Sequence, residues 1–127
     1  MLDNKKNIEE FYIDLKHRFP EITELKTWNK YNWSVDGCEN SMIMSELAEE
    51  IILWTSNNKL EDSQNFFDYL ELCLEVYDER FTSFIFTDFL VTIMEEKENT
   101  RELIKKMMLF KTKEFYQRLL QFYSEAN

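Results

Sequence analysis

Few residues in this chain are of the types that do chemistry. There is one histidine, His17, and there are two cysteines, Cys38 and Cys73. Asp14 and His17 stand in carboxylate-x-x-His spacing, which puts both on one face of a helix. Di-metal carboxylate bundles use that spacing twice and add two further glutamates. Here it occurs once, with Arg18 adjoining, so His17 reads as a surface histidine and no metal or cofactor is expected. Acid pairs such as Glu49 and Glu50 are of the right type for general acid–base work. No nucleophile or oxyanion donor sets them apart from the other acids. A single glycine, Gly37, and a single proline, Pro20, exclude the glycine-rich loops that cradle phosphates. The expectation is a protein that binds rather than catalyses.

Acidic residues are the abundant resource. Fifteen Lys and Arg face 25 Asp and Glu, a net charge of −10. That balance repels phosphate backbones and anionic lipid surfaces, so neither nucleic acid nor a membrane is an expected partner. It favours a cationic protein and speeds its capture. The surplus is uneven: residues 1–35 are neutral, residues 36–98 carry −13, and residues 99–127 carry +3. Asp68, Glu71, Glu75, Asp78 and Glu79 follow one another at helical spacing with no base between them. Like charges so placed repel by a few tenths of a kcal/mol each, so folding alone gains nothing from the row. This is the expected binding face, with Glu46, Glu49 and Glu50 as a second group. Tyr69, Leu72 and Val76 flank the row and give it an apolar centre if exposed; packing on a neighbouring helix is the other reading. Trp28, Tyr31 and Trp33 pose the same choice between a self-pinned loop and an aromatic anchor.

These residues need helices to hold them. Ile8, Phe11, Tyr12, Leu15 and Phe19 mark one face of a helix over residues 4–18, capped by Asp3 or Asn4 and ended by Pro20. A short helix from Glu21 to Trp28 and a loop over residues 29–40 follow. Met44, Leu47, Ala48, Ile51 and Ile52 mark a helix over residues 41–56, closed by Asn57-Asn58. Phe66, Phe67, Leu70, Cys73, Leu74 and Tyr77 mark the next, over residues 60–77. Residues 79–96 are apolar nearly all round, which suits a central, surrounded helix. Asn99 with Glu102 reads as the cap of a helix over residues 100–110, with Leu103, Ile104, Met107 and Met108 inward. A last helix spans residues 112–124 and presents Phe115, Tyr116, Leu119, Leu120, Phe122 and Tyr123. The expected fold is all-α, a compact single domain over residues 1–127 with six or seven helices and no sheet.

A chain of 127 residues buries a core without disulfide or metal staples. Cys73 falls in an apolar stripe and reads as a buried, reduced thiol. The start, Met1 to Lys6, has no apolar run behind it, and no segment approaches a membrane span. A cytoplasmic protein is the expectation.

Phe19-Pro20-Glu21-Ile22, then Met44-Ser45-Glu46-Leu47-Ala48-Glu49, then an acidic and aromatic helix, resemble the small all-helical bacterial immunity proteins of contact-dependent growth inhibition and related toxin systems. The resemblance implies no catalytic residue. It implies tight cytoplasmic binding of a cognate toxin domain, a nuclease in the first instance. Nucleases present basic clefts to phosphates, which an acidic inhibitor covers or adjoins. A non-enzymatic helical adaptor, working through Tyr69, Leu72 and Val76 or the Trp28–Trp33 loop, is the other function the sequence leaves open.

Overall fold

The computed structural model describes residues 5–24 and 37–126. Asn7 starts the first helix, α1 (Ile8–Arg18): its side chain accepts the Glu10 N–H at 2.9 Å, and the Glu10 carboxylate accepts the Asn7 N–H at 3.3 Å. This reciprocal box satisfies two of the donors that a helix start leaves orphaned. The cap therefore sits at Asn7 rather than Asp3 or Asn4, since only Asn7 has an acid three residues on. Ile8, Phe11, Tyr12 and Leu15 face the core. After Phe19 the expected second helix is a 3₁₀ turn, Pro20–Glu24. Its continuation to Trp28, and Tyr31 and Trp33 with it, lies outside the described residues.

Helix α2 (Gly37–Ser56) begins earlier than its apolar stripe suggested, taking in residues that read as loop. Asn40 is buried there and accepts the Tyr12 hydroxyl at 2.6 Å, which ties α2 to α1. The helix closes where expected. Asn58 takes a left-handed φ of 66°, Lys59 N–H bonds back to the Trp54 carbonyl at 2.8 Å, and Asn58 N–H to that of Thr55 at 3.2 Å. Those two bonds are a Schellman closure, and asparagine tolerates the backbone it needs.

Helix α3 (Leu60–Val76) runs back along α2, and a buried Thr55–Ser63 hydroxyl pair at 3.0 Å joins them. Lys6 then pairs with the turn after α3: its N–H donates to the Val76 carbonyl and its own carbonyl accepts from Asp78 N–H, at 3.0 and 2.8 Å. Asp78 caps the next helix by accepting the Phe81 N–H at 3.1 Å.

That next helix is interrupted. Helix α4 (Glu79–Phe84) leads into a wide π turn (Ile85–Phe89) and then α5 (Leu90–Met94). Within it the Leu90 N–H reaches the Ile85 carbonyl, five residues back. Phe81, Ile85, Phe89 and Ile93 recur every four residues, and all four are fully buried. In a regular 3.6-residue helix a strict spacing of four drifts round the axis, so Ile93 would leave the core. The wider turn removes that drift. Phe84, Phe86, Val91 and Met94 are only half-buried, packed on the edge of the core. The central element is instead α2, which lies against α3, α4, the π turn, α5 and α6 (Glu98–Met107).

Helix α6 starts after Lys97, with no side-chain cap, so Asn99 sits inside its first turn. Ile104, Met107 and Met108 face inward, whereas Leu103 is exposed. Helix α7 (Phe110–Ala126) buries Tyr116 and Leu119; Phe115 and Leu120 are half-buried, and Phe122 and Tyr123 face outward. Among the described residues there is no strand, only the isolated Lys6–Tyr77 bridge. The core is built from rings: Phe11 meets Phe81 at 4.6 Å between centroids, and Phe66 stacks on Phe89 at 5.6 Å. Such pairs add about 0.5–1.5 kcal/mol each beyond the area they bury. The fold is all-α, as the sequence pattern predicts.

Candidate protein-interaction surface

The acidic row on α3 is not a free row of charges. Glu71 turns toward α7 and is half-buried. Its carboxylate accepts the N–H groups of Lys111 and Thr112 at 2.7 and 3.0 Å and the Thr112 hydroxyl at 2.9 Å. It is thus the cap of α7, supplied from a different helix, and an anion there suits the positive end of the helix dipole. Glu75 pairs with Lys111 at 2.8 Å, and that ammonium holds its carboxyl below the usual range. The base missing from the row in sequence arrives in space, from 36 residues on. Asp78 is the cap of α4, and Asp68 accepts from Gln64 at 3.0 Å. Asp68, Glu75 and Glu79 remain exposed.

Tyr69 does not belong to this outer face. It is 8% exposed, with its ring nearly parallel to that of Phe11 and tilted against that of Phe19. Its helical position lies at the edge of the buried stripe, and Phe11 of α1 with Phe19 just after it covers its ring. Leu72 does face out, at 57% exposure, and so does Val76 at 43%.

A second acidic surface is more coherent. Helix α2 and the π turn–α5 segment enclose a groove along their outer sides. One part, about 650 Å³, is lined by Ser45, Glu49, Ile52, Leu53, Thr92, Glu95 and Glu96. The adjoining part, about 330 Å³, shares Ser45 and Glu49 and adds Ser41, Met42, Glu46 and Asp88. The lining thus gathers five carboxylates, Glu46, Glu49, Asp88, Glu95 and Glu96, and no Lys, Arg or His among the described residues. Met42 and Leu53, both more than half exposed, give it apolar ends. Ser41 donates to the Asp88 carboxylate at 3.2 Å and Thr87 at 2.9 Å, fixing that side chain on the π turn. Glu50 lies apart, accepting the Trp54 indole N–H at 3.1 Å.

Of the expected site residues, the structure therefore brings Glu46 and Glu49 together in one groove. It commits Glu71, Asp78 and Glu50 to intramolecular bonds and leaves Asp68, Leu72, Glu75 and Glu79 on exposed positions. Asp88, Glu95 and Glu96 are additions. Their signal lay in the spacing of Asp88 and Glu95, seven residues apart on one helix, against Ser45 and Glu49 on another. Only the packing of the two helices turns those rows into one surface.

The remaining constellation is Asp14 with His17. Asp14 accepts the Tyr77 hydroxyl and pairs with Lys6 at 3.0 Å. The Tyr77 bond, and then Lys6, hold its carboxyl below the usual range. His17 is exposed on the rim of a groove between α1 and α3, as its sequence neighbours predict. Cys73 is buried in the floor of that groove, and burial pushes its thiol up to about 12. A thiol so placed is inert as a nucleophile. No group of acids, cysteines and histidine among the described residues is arranged to hold a metal ion. No described helix is long and apolar enough to cross a membrane. Comparison with protein-family models, with curated proteins and with solved structures finds no match to this chain.

Proposed function

We propose that this chain is a non-enzymatic binding protein that captures a cationic protein domain, in the manner of an immunity protein neutralising a basic toxin in the cytoplasm. The observation that carries the reading is the α2–α5 groove, whose described lining gathers five carboxylates and no Lys, Arg or His, with exposed Met42 and Leu53 at its ends. Folding does not need five like charges lining one groove. A basic partner does, since paired carboxylates and lysines or arginines across an interface steer encounter and then hold it. The apolar ends supply the water-excluding contacts that charges alone lack. A nuclease domain fits this chemistry because its own substrate is a polyanion, so the inhibitor competes for the same basic cleft.

The test is growth protection by co-expression with candidate basic toxin domains. Glu49→Lys with Glu95→Lys, both at exposed positions, should abolish protection and leave the helical signal in circular dichroism unchanged. Full protection by that double variant would overturn the reading. An adaptor built on an apolar interface would instead bind its partner with little dependence on salt.

A further inference from the structure

The groove between α1 and α3 has the opposite sign to the surface just described. Its lining of about 490 Å³ places Lys6, His17 and Arg18 against one carboxylate, Asp14. Asp14 is already engaged by Lys6 and by the Tyr77 hydroxyl. Arg18 lies over the Tyr69 ring, 4.7 Å from its centroid, and forms no ion pair among the described residues. A guanidinium held over a ring still has N–H donors to offer a carboxylate. Beneath it, the Tyr69 hydroxyl is buried beside the Tyr77 hydroxyl and the Cys73 thiol. On the outer wall Leu72 and Val76 stand one turn apart, both exposed.

We propose that this groove docks a segment of a protein partner in which an acidic side chain lies beside apolar ones. The carboxylate meets Arg18 and His17, and the apolar side chains cover Leu72 and Val76. A small ligand is the poorer occupant. Pockets that hold one bury 70–90% of its surface, and here the apolar wall is itself about half open. Phosphate-rich surfaces are poorer still. Asp68 and Glu75, exposed on the outer side of the same helix, repel a membrane or nucleic acid that spreads past the groove. The groove shares no residue with the acidic α2–α5 surface, so either can fail alone.

The probe is a capped peptide, Ser-Leu-Glu-Ser-Leu-Leu-Glu-Ser, titrated into the ¹⁵N-labelled full chain. A second peptide has both glutamates replaced by glutamine. The acidic peptide should shift the amides of His17, Arg18, Leu72 and Val76 and the Arg18 side-chain N–H. The glutamine peptide should bind at least tenfold more weakly, and Arg18→Gln should cost the acidic peptide a similar factor. Should Arg18→Gln lose structure, Leu72→Asp at its exposed position carries the same test by adding repulsion. Equal affinity for the two peptides overturns the proposal, as does the absence of shifts at millimolar peptide. Octanoate binding more tightly than the acidic peptide, or Arg18-dependent binding to phosphatidylglycerol vesicles, overturns it in favour of another occupant.

Discussion

Single side chains here do structural work that their sequence neighbours conceal. Glu71 is the clearest, because its three bonds satisfy the start of a helix 40 residues away. Read as an interface acid, it should tolerate charge reversal, with Glu71→Lys leaving the fold intact. The structure leads to the opposite result. Removing the carboxylate leaves the Lys111 N–H and the N–H and hydroxyl of the buried Thr112 unpaired, and bonds to charged groups contribute about 1.5–3 kcal/mol. Glu71→Ala should lower unfolding free energy in urea by about 2–3 kcal/mol, and Glu71→Lys by more. Asp14 sets the response to acid. Its pKa is lowered in the folded state, so its stabilisation is complete above the unfolded carboxylate value near 3.9 and is lost as pH falls through the folded one. Tyr77→Phe should raise the Asp14 pKa, read by carboxyl NMR titration, and flatten the loss of stability below about pH 4. At the alkaline end the sign reverses. Burial raises the pKa of Tyr12, Tyr69, Tyr77 and Tyr116, so their contribution is intact below about 10 and is lost as pH rises beyond it. Phenolate absorbance at 295 nm should therefore rise together with the loss of helical signal.

At the scale of elements, the helices were legible wherever apolar residues recur at 3.6. The stripes of α1, α2 and α3 point into the core as their spacing requires. What the spacing did not reveal was partnership. The exposed Leu103 read as inward because nothing local says where α6 runs out of neighbours. The N-cap of α7 was illegible for the same reason, since its ligand is on α3. The π turn was legible in principle, in the fourfold spacing of Phe81, Ile85, Phe89 and Ile93, but an almost wholly apolar helix masks any periodicity. That turn behaves as one residue too many for a regular helix. Deleting Thr87, which is exposed, would place the same four side chains at i, i+4, i+7 and i+11, a regular α stripe. The shortened chain should keep its helical signal and a cooperative thermal transition, though it would move Asp88 away from Ser41. Phe89→Ala, by contrast, removes a fully buried ring and should cost about 3–5 kcal/mol.

For the whole molecule, charge is what the sequence made visible and three-dimensional packing rearranged. The −13 middle segment is real, yet its acids do not share one fate. Glu71, Glu75 and Asp78 meet Lys111 or cap helices, whereas Glu46, Glu49, Asp88, Glu95 and Glu96 line one groove. Glu46 and Glu49 were on the candidate face from spacing alone; Asp88, Glu95 and Glu96 required the packing. This division makes a comparative prediction. Rim charges act mainly on the association rate, through a field that salt screens over about 8 Å at physiological ionic strength. Capture of a basic partner should slow steeply as salt rises, with a smaller change in dissociation. Glu49→Lys with Glu95→Lys should slow it further and flatten the salt dependence, because the charges that salt screens are gone. Glu75→Lys, at an exposed position whose acid already spends its charge on Lys111, should slow capture much less. Stopped-flow association over a salt series separates these variants. If Glu75→Lys slows capture as much as the groove pair does, the partner lies across α3 after all, and the α2–α5 carboxylates are ordinary solvated surface.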